Sequence, residues 1–419
     1  MKASFILAWR ALVRGRAFPL LLAATGLAHL LLPALVRSDG TAAGAREMYV
    51  RAVTGATHAV TAVVVLACAC GAFAQARARG RLSLTVVRPA SAFGVACGKW
   101  LALCTAAAAA YALTAALTWA RLPDAPPCRH RHVPALPPAA EVARGRLADY
   151  LADAQTPEAV RKAPRAAVLR LLANKERERY DVVRPGERQV WPFPAALAEA
   201  TNLAVRVRFA TQFDLRSPLA GVFTFASRSA VVSNSTQSVV EVRLEADGEA
   251  GKAEGAGLAF RNTGKEIVML RPRRDLELLA PADAFAANAA RAALQMLAAT
   301  ALLAAFGLFL SSALSRPVAL FTAFAVLAVA LMAPSVVLQF PDALETSWTD
   351  RVGLAVARGF SLFAAPAGEA APVSDLATGA CIEWPALLKG ALVNAVVLPL
   401  ALLGLAAALV RRRPLEHQP

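Results

Sequence analysis

The chain is short of acidic residues and of the motifs that mark catalysis. It holds 29 Asp and Glu against 45 Lys and Arg, a net charge of +16. A balance that basic points first to nucleic acid. The cations, however, form no single stripe with interleaved aromatics, so no nucleic-acid partner is expected. There is no HExxH, no GxSxG and no kinase signature set. Residues 94–100, GVACGKW, look superficially like a phosphate loop. A P-loop needs four residues between its glycines and Ser or Thr after the lysine; here three residues intervene and Trp100 follows Lys99. An ATP site is thereby excluded, and no catalytic residue or cofactor is expected. The six cysteines stand in no CxxC or zinc spacing, which argues against a metal-stapled domain. Cys128-Arg129-His130-Arg131-His132 offers ligand types, but its two arginines oppose a cation. It reads as a basic stretch in a proline-rich linker.

What is abundant is apolar: 57% of the residues are hydrophobic and the mean hydropathy is +0.48. The average hides several nearly charge-free runs and a polar middle. Residues 1–16 place Phe5, Ile6, Trp9, Leu12 and Val13 at helical spacing among Lys2, Arg10, Arg14 and Arg16, the pattern of an interfacial amphipathic helix. Spans are expected at 17–36, 52–74, 100–120, 292–312, 318–338 and 388–410. About twenty residues at about 1.5 Å each cover the roughly 30 Å hydrocarbon core. His29 falls inside the first span and reads as a neutral, packed histidine, with a functional role as the alternative. The third span is mostly alanine, which suits close packing inside a bundle. Residues 351–365, RVGLAVARGFSLFAA, read as a short interfacial or re-entrant helix.

Residues 121–284 differ. They hold most of the prolines and charges, and no run there is long enough to span. Residues 141–175 read as helices. Beyond Trp191 the period becomes two: Leu203, Val205, Val207 and Phe209 alternate with Arg206 and Arg208, and Val240, Val242 and Leu244 alternate with charged neighbours. Further short strands are expected at 257–260 and 266–270, giving a small antiparallel β-sandwich. Trp191 and Phe193 read as packing residues. The fold class is therefore an all-α polytopic membrane protein of six transmembrane helices with an inserted α+β domain. Its divisions are 1–120, 121–284 and 285–419.

The charge distribution orients the spans. With a cytoplasmic N-terminus, segments 1–16, 75–99, 313–317 and 411–419 lie inside and carry thirteen basic residues against Glu416 alone. Segment 339–387 lies outside with Arg351 and Arg358 against six acidic residues. This is the positive-inside pattern, and it puts both termini in the cytoplasm and 121–284 outside. Cys128 and Cys381 then share the outer side and are candidates to pair, a matter of distance that sequence leaves open.

The loop 75–99, QARARGRLSLTVVRPASAFGVACGK, carries Arg77, Arg79, Arg81, Arg88 and Lys99 and no acidic residue. Leu82, Leu84, Val86 and Val87 precede Pro89, a residue that ends helices. The loop reads either as a docking element for a partner or as a charged loop that only sets topology. In three stretches the chain resembles the membrane subunit of ABC-2-type ABC transporters. Gly80-Arg81-Leu82-Ser83-Leu84 through Arg88-Pro89-Ala90-Ser91 to Gly98-Lys99 is similar to that family's G-T-L…L…R-P-V-S-R…G-K element. Residues 288–318 are similar to its N-x-x-R-A-L opening of span four and its S-x-P-V-A turn. Phe360-Ser361-Leu362-Phe363, Ile382-Glu383-Trp384 and the Arg-rich end are similar to its F-x-L-F…I-x-W…R-R-R tail. The chain departs from the pattern in having no Glu before Gly80, and Arg81 and Ala92 where the family has Thr and Arg.

The resemblance implies a permease in a bacterial inner membrane, working as a homodimer or with a paralogous permease. A separate cytoplasmic ABC ATPase would dock on Arg77, Gly80, Arg81, Leu82, Leu84, Val86, Arg88 and Pro89, the leucines and Val86 filling an apolar groove and the arginines supplying rim charge. The alternative is a membrane-tethered binding or sensor protein whose outer domain recognises a ligand. A membrane enzyme is disfavoured by the lack of an intramembrane His/Asp/Glu cluster.

Overall fold

The amphipathic spacing at the N-terminus forms α1 (Lys2–Arg14), none of whose side chains is buried. Arg16, in the left-handed region at φ 62, turns the chain into α2 (Ala17–Leu35), which contains Pro33 and ends two residues after it. Then come α3 (Ala42–Ala72), α4 (Ala74–Ala78) and α5 (Ala92–Arg121). The structure is a computed structural model. It describes residues 1–36, 42–78, 91–122, 127–153, 155–210, 218–234, 239–246, 257–339, 348–349, 352–353, 355–356 and 371–412.

Two helices start earlier than their apolar runs. The expected loop 37–51 is helical from Ala42, and the expected loop 75–99 is helical at both ends, through α4 and from Ala92 onward. Ser91 explains the second start: its backbone is extended and its Oγ accepts from the Gly94 N–H at 3.0 Å, a cap for the first turn. Hydropathy marks where the apolar run begins, whereas the cap marks where the helix begins.

Residues Pro127–Asp283 form the main part of a separate unit. It contains β1 (Arg129–His132), α6 (Ala139–Ala152), α7 (Glu158–Arg161), α8 (Arg165–Arg177), β2 (Asp181–Val183), β3 (Arg188–Pro192) and β4 (Ala204–Arg208). After these come β5 (Leu219–Phe225), β6 (Arg228–Asn234), β7 (Val239–Arg243), β8 (Glu245–Ala246), β9 (Gly257–Asn262), β10 (Val268–Leu270) and β11 (Leu276–Pro281). One antiparallel sheet has the order β1-β11-β4-β7, a second β3-β9-β5-β6-β8, and β10 pairs with β2. The two larger sheets contribute to one core. Its largest members include Trp191, Phe209, Phe223, Phe225 and Phe260, with Val205, Val207 and Leu278 from the first sheet. Trp191 Nε1 donates to Asp181 Oδ2 at 2.8 Å, which satisfies the buried indole.

The Cys128–His132 stretch is not a linker. It is a strand paired with β11 from Arg129↔Pro281 to His132↔Leu278. Its arginines pair with Glu241 and, at 3.8 Å, with Glu277, so strand pairing and cross-strand charge organise a segment that composition alone marks as a linker. Cys128 N–H donates to Asp283 O and Ala282 N–H to Cys128 O, both at 2.8 Å. The unit therefore opens and closes on adjacent strands, as an insertion into another domain requires. Cys128 and Cys381 are both free thiols.

The helical unit resumes with α9 (Phe285–Ala313) and α10 (Arg316–Gln339), followed by α11 (Pro372–Ala377) and α12 (Trp384–Leu392). Residues Val393–Val397 continue α12 as a π-helical turn into α13 (Leu398–Arg412). Among the described residues five stretches, against six expected spans, are long and apolar enough to cross a membrane: Ala17–Leu35, Gly44–Arg77, Ala92–Arg121, Phe285–Ala313 and Trp384–Arg411; the span expected at 318–338 falls in α10 and is not one of them. Of these α9 is the most enclosed, packed against α3, α5 and α13. Gly307 permits the closest crossing, because a Cβ there would lie 2.7 Å from the Ala69 Cβ of α3. The expected helix at 351–365 lies almost wholly outside the described residues.

The aromatic cluster of the sandwich gives a direct test. The Phe260 ring lies 4.7 Å from Phe223 and 5.6 Å from Phe209, and a Cβ on Gly221 would run into it. Phe260→Ala is expected to cost about 3–5 kcal/mol. Pulse proteolysis of the 127–283 region in a urea series should show that loss while the apolar helices still insert.

Candidate functional site: the capped end of the helical bundle

The segment carrying most of the expected docking residues is bounded by α4 and by the Ser91 cap of α5. Arg77, the last basic residue before it, is half-buried. Its Nη1 donates to Ser312 O at 3.0 Å, and its Nη2 donates to Ser311 O at 3.1 Å and Leu314 O at 2.7 Å. These carbonyls belong to the end of α9, where the last turn has no intrahelical donors and carries the negative end of the helix dipole. One guanidinium thus closes a helix more than two hundred residues away in sequence. Gly80, Arg81, Leu82, Leu84, Val86, Arg88 and Pro89 lie outside the described residues.

Lys99 does the same for α3. Its Nζ donates to Ala72 O at 2.7 Å and sits 4.2 Å from the Phe73 ring centroid, a cation–π contact. Trp100 Nε1 donates to Ala301 O at 2.8 Å and ties α5 to α9. Gly98 has a different task. A Cβ there would stand 2.8 Å from Met1 O, Phe5 N and the Ser4 Cβ, so only glycine lets α1 lie against α5. The Gly98-Lys99 pair, quoted in the sequence only as a resemblance, therefore seats the N-terminal helix and caps α3.

The opposite end of α9 is also held by side chains. Asn288 donates from Nδ2 to Ala380 O at 2.7 Å and accepts from the Ile382 N–H at 2.9 Å. Arg291 Nη1 donates to Ile382 O at 3.3 Å, and its guanidinium lies 4.7 Å from the Trp384 ring centroid. The N-x-x-R and I-x-W stretches, nearly a hundred residues apart, are one contact.

Between the ends runs a buried polar chain. Thr300 Oγ1 donates to Met296 O at 2.9 Å and so accepts from Tyr111 Oη at 2.7 Å. Tyr111 in turn accepts from His58 Nδ1 at 2.8 Å, which assigns the proton of His58 to Nδ1. The three residues come from near the middle of α3, α5 and α9. His29, buried in α2, meets Tyr49 Oη at 2.9 Å through Nδ1, while its buried Nε2 has no hydrogen-bond partner among the described residues. The amide of Gln295 on α9 and Oδ1 of Asn394 in the π-helical turn are buried with no hydrogen-bond partner. Such atoms cost about 1–3 kcal/mol each, and π-turns recur at functional positions. Sequence reading missed Tyr111, Thr300, Gln295 and Asn394. Their signal was only a polar residue inside an apolar run. Among the described residues no group of three or more His, Cys, Asp or Glu is placed to hold a metal.

Two measurements probe this arrangement. Gly98→Leu overpacks the α1–α5 contact by about 1–3 kcal/mol, and it should speed maleimide labelling of a cysteine placed at Ser4. A double-mutant cycle of Tyr111→Phe with Thr300→Val should give a coupling of about 0.6–1.7 kcal/mol, the range for hydrogen bonds between membrane helices. No protein-family model, no curated protein and no solved structure matches the chain.

Proposed function

We propose that the chain is the membrane-spanning subunit of an ABC-2-type transporter, with α10 as a sixth crossing. A separate cytoplasmic ATPase docks on residues 79–90, and a second permease, identical or paralogous, completes the pathway. Both termini lie in the cytoplasm of a bacterial inner-membrane protein, and 127–283 lies outside. ATP is hydrolysed on the partner and not here.

The observation that carries this reading is the frame around 79–90. Arg77 on one flank grips the end of α9, and Ser91, Gly98 and Lys99 on the other start α5 and grip α1 and α3. A partner bound at 79–90 would therefore act next to the residues that hold α9, the most enclosed helix. The basic residues at this end support its cytoplasmic placement. The unpartnered Gln295 and Asn394 are the buried polar atoms a pathway would use once a second permease is present.

The rival reading, a tethered binding protein, draws on one feature. A cavity of about 830 Å³ between α6 and α8 is lined by Arg146, Asp149, Tyr150 and Lys175. Affinity purification of the tagged chain in mild detergent separates the two. Transport predicts a stoichiometric Walker-motif ATPase that is lost in Leu82→Asp and Leu84→Asp while insertion is unchanged. A clean preparation without an ATPase, under conditions that preserve a control ABC complex, would reject the transport reading.

A further inference from the structure

A cavity of about 410 Å³ lies between α1 and the bundle, at the same end as the capped helices. Leu12 of α1, Cys68 of α3 and Leu103 of α5 are among its apolar walls. Its polar lining is Gln75, Lys99 and Arg316, from α4, α5 and the start of α10. Among the described residues that line it there is no Asp or Glu. Gly71 forms part of the wall, and a Cβ at that position would lie 3.4 Å from Gln75 Nε2 and 3.5 Å from Arg316 Nε. The amide and the guanidinium thus converge over a backbone that has no side chain of its own.

The charges need an answer from outside the chain. Lys99 spends one ammonium hydrogen on Ala72 O, leaving two. Arg316 makes no hydrogen bond or ion pair among the described residues. Lys99 is half-buried and Arg316 exposed; two cations beside an apolar wall favour an anion, and for Lys99 the lower local dielectric strengthens the attraction. The setting selects the kind of anion. On α1, Ile6, Leu7 and Val13 are exposed, as expected of a helix lying in a membrane interface. A helix lying in that interface would bring the cavity beside it to headgroup level, and the cavity has an apolar wall for the start of an acyl chain.

We propose that this cavity binds an anionic phospholipid from the leaflet on which α1 lies. The phosphate sits against Lys99 and Arg316, and Gln75 donates to its ester oxygens. Zwitterionic lipids are selected against because their ammonium group would meet two cations and no carboxylate. The occupied site fastens α1 to the bundle beside the 79–90 frame. It does so whether or not the chain transports, so its failure and the failure of the transport reading are separable.

Native mass spectrometry of the full chain in detergent, titrated with phosphatidylglycerol or phosphatidylcholine in phosphate-free buffer, tests this. Phosphatidylglycerol should bind at least about tenfold more tightly, the equivalent of a charge-assisted hydrogen bond. Arg316→Gln should remove most of that preference. Leu12→Trp, which fills the cavity from α1 without altering either cation, should reduce binding of both lipids; this variant guards against a cation variant that simply misfolds. Equal binding of the two lipids, an unchanged preference in Arg316→Gln, or unchanged binding in Leu12→Trp would overturn the proposal. So would displacement of phosphatidylglycerol by inorganic phosphate at millimolar concentration, which would identify a soluble anion as the occupant.

Discussion

Helix α9 is enclosed by three other helices, and everything else in the helical unit has to accommodate that. An enclosed helix has no water to satisfy its ends, so each end needs protein donors and acceptors. Arg77 answers three carbonyls at one end, while Asn288 and Arg291 recruit the Ala380–Trp384 strip at the other. Thr300 and Ala301, between them, accept from Tyr111 and Trp100 of α5. Gly307 removes the side chain that would hold α3 away. Apolar packing drives helices together in lipid only weakly, so these directional contacts supply much of the specificity.

The same logic accounts for the basic residues near 75–99. As a count of charge, Arg77 and Lys99 only orient a loop. In the fold, each is placed at a helix C-terminus, where a cation both donates to orphan carbonyls and opposes the negative end of the dipole. The charge that sets topology is thus also the charge that closes the helices. Residues 79–90 lie in sequence between two such clamps, which is what the proposed transport role asks of a docking segment.

The inserted unit follows a different rule. Its two sheets bury aromatic side chains at alternate positions, most clearly in β5, where every second residue from Leu219 to Phe225 is buried. Pairing of β1 with β11 brings its first and last strands together. The Arg131–Glu277 ion pair joins the two strands of that closing pair, and Arg129 reaches Glu241 of β7.

The sequence by itself determined where the apolar helices run, because about twenty apolar residues are a local property that no tertiary contact has to supply. It also determined the period-two strands at Leu203–Phe209 and Val240–Leu244, the packed roles of Trp191 and His29, and the basic face of one end of the bundle. Tertiary structure alone decided that 128–132 is a strand, since an Arg-His repeat becomes β only when β11 is beside it. It placed the Ser91 hydroxyl to cap α5 at Ala92, about two turns before the Trp100 that hydropathy marks. It also joined Arg77 to Ser312, Asn288 to Ala380 and Tyr111 to Thr300. Those contacts depend on which helix faces which, and an apolar run is almost the same on every side.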